Sequence, residues 1–320
     1  MENSPNSRSS LSETHFVASL DETPLQETDS VAEDSRPSNL YIDAWRDVRS
    51  RPLFWISGVF ILLIIVVSIF PGLFTQIDPR LCDLGQSNAG PSAAHILGTT
   101  KQGCDVYARI IFGTSTSLTV GILATIIVTI IGVIFGALGG FFGRWVDAIL
   151  SRIGDIFFAI PYFLAAVVVM SVFVQYRNVF VIALAIGAFA WPGTARILRG
   201  QVLSVKNADY VTSATALGVG KFTILWRHVL PNSIAPVIVV TTIGLAGAIV
   251  AEATLSFLGV GLPPSVMSWG NDISAAQRDL RNNPMTLVWP SIALTSTVLA
   301  FVVMGEVIRD ALDPKARARR

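Results

Sequence analysis

The sequence predicts an all-α integral membrane protein of six transmembrane helices. Three observations carry that expectation. Of 320 residues, 52% are hydrophobic and only 14% charged, where a soluble domain carries about 25% charged residues. Six windows free of Asp, Glu, Lys and Arg recur along the chain, at 52–77, 110–143, 156–176, 178–195, 229–251 and 282–305. Between them the basic residues fall mostly on one side.

A hydrocarbon layer about 30 Å thick is crossed by about 20 apolar helical residues, because without water the backbone must satisfy its own hydrogen bonds. The spans are expected near 53–74, 112–140, 156–175, 179–197, 233–251 and 286–307. The stretch 253–271 is also uncharged, but Gly259, Gly261, Pro263 and Pro264 interrupt it. It reads as a short interfacial or re-entrant piece rather than a seventh span. With the N-terminus inside, the inner set is Arg46, Arg49, Arg51, Arg144, Arg152, Arg196, Arg199, Lys206, Lys221, Arg227, Arg309, Lys315, Arg317, Arg319 and Arg320. The outer set is only Arg80, Lys101, Arg109, Arg177, Arg278 and Arg281. An excess of Lys and Arg marks the cytoplasmic side, so both termini are expected there.

Ahead of the first span, residues 1–40 carry eight acidic side chains against Arg8 and Arg36 and have no sustained apolar period. Such a stretch buries too little to offset its ordering entropy and is expected to be a disordered tail. No basic n-region is present and the first long apolar run starts past residue 50, so a signal peptide is not expected. Residues 41–51, with Tyr41, Trp45 and Val48 at helical spacing beside Arg46 and Arg49, read as an interfacial helix on the cytoplasmic leaflet or as a basic stop before the span.

Gly132, Gly136 and Gly140 form overlapping small-xxx-small steps in the second span, with Gly139 and Gly143 adding another. In lipid such glycines mark a close helix–helix seam; a pore-lining role is the alternative. Signs of catalysis are missing. His15, His95 and His228 lie outside the spans and far apart, no His/Cys/carboxylate spacing suggests a metal site, and no H-E-x-x-H or Ser–His–Asp order occurs. Asp155, Glu252 and Glu306 sit at span ends, which disfavours coupling to protons through buried carboxylates. No G-x-x-x-x-G-K-[ST] loop exists, since Gly218-Val219-Gly220-Lys221-Phe222 lacks the hydroxyl after lysine. Energy for uphill transport would have to arrive from another chain. Cys82 and Cys104, the only cysteines, fall in the loop expected outside, where disulfides are permitted. They read as a structural disulfide, with two unpaired thiols as the alternative.

The longest cytoplasmic loop, 198–232, reads as two short helices. Asn207 is placed to cap a helix through Tyr210, Val211, Ala214 and Leu217 that ends at Gly218. A second helix, Lys221 to His228, is expected to stop at Pro231. The run Asp209-Tyr210-Val211-Thr212-Ser213-Ala214-Thr215-Ala216-Leu217-Gly218, followed by Arg227-His228-Val229-Leu230-Pro231-Asn232, resembles the EAA loop of ABC importer permeases, E-A-A-x-x-x-G and, nine residues later, I-x-L-P. Thr212 stands in place of the acidic residue and His228 in place of the Ile. Three further stretches narrow the resemblance to the C-type permeases of peptide and nickel importers. Leu97-Gly98-Thr99-Thr100-Lys101-Gln102-Gly103-Cys104-Asp105-Val106 is similar to F-G-T-D-x-x-G-R-D-V, departing at Thr100 and Cys104. Ala251-Glu252-Ala253-Thr254-Leu255-Ser256-Phe257-Leu258-Gly259-Val260-Gly261 with Ser268-Trp269-Gly270 resembles A-E-x-x-L-S-F-L-G-x-G and S-W-G. Ile308-Arg309-Asp310-Ala311-Leu312-Asp313-Pro314 resembles L-R-D-x-L-D-P. The acidic tail and the cysteine pair point to the actinobacterial oligopeptide branch.

This resemblance implies a type I ABC importer permease fold and import of peptides across the cell inner membrane. It implies a homologous B-type permease subunit as partner, with the translocation path between the two. It also implies two ATPase subunits (or a fused ATPase), which bind ATP and Mg, and an extracytoplasmic peptide-binding protein. Membrane lipids surround the assembly, and no nucleic acid or resident cofactor is implied. Tyr210, Val211, Thr212, Ser213, Ala214, Leu217, Gly218 and Pro231 would form the ATPase-coupling surface. The alternative is a channel or secondary carrier that works without ATPases. The charge asymmetry gives a direct test. In a background lacking Cys82 and Cys104, single cysteines at positions 206, 221 and 315 should resist an impermeant maleimide in intact cells, and one at 101 should react. Labelling of position 221 from outside would overturn the topology.

Overall fold

The computed structural model describes residues 40–312. The acidic tail expected over 1–40 lies outside them but for Leu40, as do Lys315 and the last arginines. Among the described residues the chain is helical, with only the isolated bridges Cys82–Cys104 and Thr99–Asp105. Helix α1 (Leu40–Ser50) leads into α2 (Pro52–Ile69), with Pro52 at the first helical position, where its missing N–H costs nothing. A loop then runs to α3 (Val106–Phe142), whose N-terminus is capped by Asp105 accepting the Ala108 N–H at 2.6 Å. At 37 residues, α3 is roughly 55 Å long, so its ends stand beyond an apolar layer of about 30 Å.

Next come α4 (Arg144–Ala159) and α5 (Tyr162–Val172), bent against each other by 76°. The span expected at 156–175 is therefore a broken one. Pro161 is the reason: proline disfavours helical backbone in the residue before it, and Ile160 is extended at φ −93°, ψ 119°. Among the described residues five helices are each long and apolar enough to cross a membrane: α2, α3, α6 (Val179–Val205), α10 (Ala235–Phe257) and α12 (Met285–Leu312). The bent pair α4–α5 supplies the sixth crossing if it counts as one. Between α6 and α10 lie α7 (Asp209–Ala216), α8 (Lys221–Ile224), a π-turn at Leu225–Val229 and α9 (Leu230–Ser233). The broken stretch after α10 is a loop ending in α11 (Trp269–Ala276), not a span.

The central seam joins α3 to α6. A Cβ on Gly132 would stand 2.8 Å from Thr194 Cβ, one on Gly136 2.6 Å from the Ala195 carbonyl oxygen, and one on Gly140 2.9 Å from Val202 Cβ. The glycines thus seat a neighbouring helix rather than line an opening. From the other side, Gly187 of α6 meets Ile127 and the Ala124 carbonyl in the same way. Because lipid offers the helices no burial from water, close backbone contact has to supply the attraction. Around this seam α3, α5, α6 and α10 bury Val120, Ala124, Met170, Ile182, Ile186 and Leu255.

Helix α6 runs ten residues past its uncharged window because its arginines are paired. Arg199 donates to both carboxylate oxygens of Asp147 on α4, at 2.5 and 2.7 Å. Arg196 reaches Asp155 at 2.8 Å and stacks on Phe158. Lys206 donates to the Gly140 carbonyl at the end of α3. At the same end of the bundle, α1 lies on α12 through Ala44, Val48, Val307 and Ala311, while Trp45 is exposed. Arg51 joins them through Asp310 and Asp47, both at 2.8 Å. Partial burial works against its charge, but the hydrogen bonds to Asp310 and Asp47 outweigh it and raise its pKa. Arg199, Arg196, Lys206 and Arg51 all belong to the basic set that the sequence expects inside.

The seam yields a prediction. Gly136→Val should lower the melting temperature of the purified complex by several degrees, since backbone on α6 blocks the added atoms. Gly200→Ala, where a methyl meets nothing within 4 Å, should not lower it.

Candidate functional site

The first candidate site is the block between α6 and α10. Helix α7 covers Asp209–Ala216, and its cap is not Asn207. Ala208 takes the cap position without a side-chain bond, and the Asn207 amide instead donates to the Leu203 carbonyl. Helix α6 runs on to Val205, so Asn207 satisfies an orphan carbonyl at its end before α7 begins. The expected loop 198–232 is shortened in the same way. The other end of α7 follows expectation. Gly218 has φ +78°, its N–H bonds the Thr215 carbonyl, and the Val219 N–H bonds the Ala214 carbonyl. This is a Schellman closure, in which glycine carries the left-handed residue without strain.

Pro231 does not end the second helix. The segment passes through a π-turn, with the Leu230 N–H bonded to the Leu225 carbonyl five residues back, and continues as Leu230–Ser233. Proline has no N–H for the usual ladder and clashes with the preceding turn; widening that turn removes the conflict. The block is anchored from below. Val211, Ala214, Ile224, Leu225, Val229 and Leu230 share a buried cluster with Ala137 of α3, Leu198 and Val202 of α6 and Val237 of α10. Its outward face is uncovered and presents large apolar side chains among polar ones: Tyr210, Leu217, Phe222 and Trp226 are exposed, as are Thr212, Ser213, Gly218 and Pro231. The named residues therefore divide. Val211 and Ala214 face the bundle, and the rest face away.

A second site is an open cavity of about 270 Å³ between α3, α5, α6 and α10. Thr125, Tyr162, Thr241, Gly193, Gly244 and Gly247 are on its wall, and a Cβ at any of these three glycines would meet nothing within 4 Å. These are not seam glycines; they leave room.

At the opposite end from α7, Glu252 corrects the sequence expectation. It lies inside α10 rather than at a span end, and it is fully buried. Ser256 and Ser117 donate to its two oxygens at 2.9 and 3.1 Å. Ser117 in turn accepts the Trp269 N–H, and the Trp269 indole donates to the Ile110 carbonyl. A buried carboxylate is tolerated when it is hydrogen-bonded, so the helix continues through it. The network ties α11 to α3 and α10. The A-E-x-x-L-S pattern held the signal: Glu252 and Ser256 are one helical turn apart.

In the loop before α3, Cys82 and Cys104 are joined by a disulfide across 22 residues. His95 Nδ1 lies 2.9 Å from Asp105, the cap of α3. No group of three or more His, Cys, Asp or Glu able to hold a metal occurs among the described residues.

A long helical bundle with a charge-paired end, a partly exposed helical block at that end and a small-residue cavity between the helices fits a membrane transport permease. Residues 129–318 match the family of binding-protein-dependent transport system inner membrane components, and residues 39–91 match the N-terminal transmembrane domain of oligopeptide transport permease C. The chain belongs to this family of ABC importer permeases. It is 35% identical over 275 residues to the glutathione transport system permease protein GsiD of Pectobacterium atrosepticum, covering 86% of this chain and 91% of that protein. It is 35% identical over 301 residues to an Escherichia coli protein of the same name (94% and 97%) and 36% identical over 274 residues to the Shigella boydii one (85% and 90%).

The disulfide generates a stability prediction. Closing a loop of this length contributes about 3 kcal/mol in the chain-entropy account. Cys104→Ser should lower the melting temperature of the purified protein, and reductant should lower that of the unaltered protein equally. Turnover per folded complex should be retained; an unchanged melting temperature in both cases would show that the bridge is not structural.

Proposed function

We propose that this chain is the C-type half of the translocation path of an importer for short peptides, glutathione among them. A homologous B-type permease supplies the other half, two ATPase subunits (or a fused ATPase) bind ATP and Mg inside, and a binding protein delivers substrate outside. Both termini lie in the cytoplasm. The observation that carries this reading is the block α7–α9. Its inner face is packed into the cores of α3, α6 and α10, so a push on α7 acts on three spans rather than on a loose loop. Its exposed apolar face, Tyr210 and Leu217 with Phe222 and Trp226, suits an ATPase groove. Thr212, where the resembling loops carry a carboxylate, makes a salt bridge from that position impossible; small side chains there favour close seating instead. The glycine-walled cavity on α6 and α10 suits a path that has to pass peptide backbones of varied side chain.

The decisive measurement is ATP-dependent uptake by the reconstituted complex across a peptide length series that includes glutathione. Uptake of di- and tripeptides is expected, and uptake without ATP would refute the reading. Gly218→Val tests the coupling block. A β-branched residue at φ +78° is strained by roughly 1–2 kcal/mol, and open space around the site excludes a simple clash. Membrane abundance should stay normal while ATPase co-purification and uptake fall severalfold; Thr212→Ala should be milder. If Gly218→Val changed neither assembly, ATP hydrolysis nor transport, the coupling role would be wrong.

A further inference from the structure

At the end of the bundle opposite α7 lies a cavity of about 410 Å³ between the disulfide-bearing loop, the start of α3, the α11 segment and the start of α12. That volume is in the usual range for small-molecule sites, about 300–1,000 Å³. Val106, Ile110 and Pro290 give it apolar walls. Two carboxylates line it, Asp272 on α11 and Asp279 in the 3-10 turn Gln277–Asp279 that follows. Asp272 is 8% exposed and Asp279 4%.

Each carboxylate has one committed oxygen. Asp272 Oδ1 accepts both Nε and Nη2 of Arg109, which lies on α3. Asp279 Oδ1 accepts the Asn282 amide at 2.7 Å. The second oxygens, Asp272 Oδ2 and Asp279 Oδ2, are buried and have no hydrogen-bond partner among the described residues. Burial pushes the Asp272 carboxyl up from its ordinary range, against the pull of Arg109. The partner of the Asp279 carboxylate is a neutral amide. A buried carboxylate oxygen left this way is costly, and a cationic donor is what would satisfy it. At the exposed rim stand Lys101 and Arg278, which no ion pair reaches among the described residues. Arg109, which also lines the cavity, balances Asp272, so the depth carries one net negative charge, at Asp279, and the mouth carries the two cations.

We propose that this cavity is a peptide site of the permease itself, taking the ammonium terminus of a short zwitterionic peptide at Asp279 and Asp272 and its carboxylate at Lys101 and Arg278. The choice of a peptide rests on the function proposed above; the polarity of the site rests on the cavity alone. Such a site would hold substrate on the binding-protein side, before the path between the subunits.

The test is equilibrium binding of radiolabelled triglycine to the complete transporter in nanodiscs without its binding protein. Triglycine should bind saturably and roughly tenfold or more tighter than N-acetyltriglycine, the scale of one lost charge-assisted contact. Asp279→Asn keeps the acceptor for Asn282 but removes the charge, and should erase that difference. Lys101→Gln, at the exposed rim, should weaken triglycine severalfold and leave triglycine amide unchanged, which decides the matter if the Asp279 variant fails to accumulate. No saturable binding, equal binding of the free and acetylated peptides, discrimination against the acetylated peptide that survives Asp279→Asn, or undiminished triglycine binding by Lys101→Gln would overturn the proposal. Uptake is measured separately on the complete system. Uptake of triglycine without binding here would overturn the cavity alone, and binding here without uptake would overturn peptide import while the ammonium site stands.

Discussion

The approach of α3 to α6 governs most of the architecture. Three glycines on α3 and one on α6 let two long helices meet backbone to backbone, where a single added methyl would fall within 3 Å of the other helix. In a bilayer apolar side chains gain little by leaving lipid for protein, so the attraction has to come from dense contact between the helices. Everything else is placed relative to that pair. Helix α10 packs on it through Gly121, whose missing side chain admits Ile249, and α12 packs on α10 through Gly305, which admits Ile243.

The two ends of this bundle are fastened by different means. At the end bearing α7, charged side chains cross between helices: Arg199 to Asp147, Arg196 to Asp155, Arg51 to Asp310 and Lys206 to the Gly140 carbonyl. At the other end the fastening is the buried Glu252 network, the Arg109–Asp272 pair and the disulfide. Exposed ion pairs contribute little individually, about 0–1 kcal/mol, but they fix which helix ends stand together. The α7–α9 block thereby sits on an ordered platform at the ends of α6 and α10.

The two glycine populations show how one residue type serves opposite ends. Gly132, Gly136 and Gly140 are small so that protein can fill the space beside them. Gly193, Gly244 and Gly247 are small beside space that nothing in this chain fills. Sequence spacing distinguishes the first group through its four-residue repeat. It gives no such sign for the second, which is recognised only by what is missing across from it.

The sequence by itself determined the apolar windows, the glycine seam and the left-handed end of α7 at Gly218. Each depends on local chemistry: transfer from water, helical period and the steric freedom of glycine. Where the outcome hung on a neighbour, the sequence was silent or misled. Asn207 had the chemistry of a cap but was taken by the end of α6, and Pro231 was absorbed by a π-turn rather than stopping a helix. Pro161 broke a window that composition alone read as continuous. Glu252 bounded the charge-free window, yet the helix carries it inside because Ser117, 135 residues away, donates to it. The outer cavity has the same origin. Lys101, Arg109, Asp272 and Asp279 belong to separate stretches of chain, and only the packing of α11 and α12 against α3 brings them around one space.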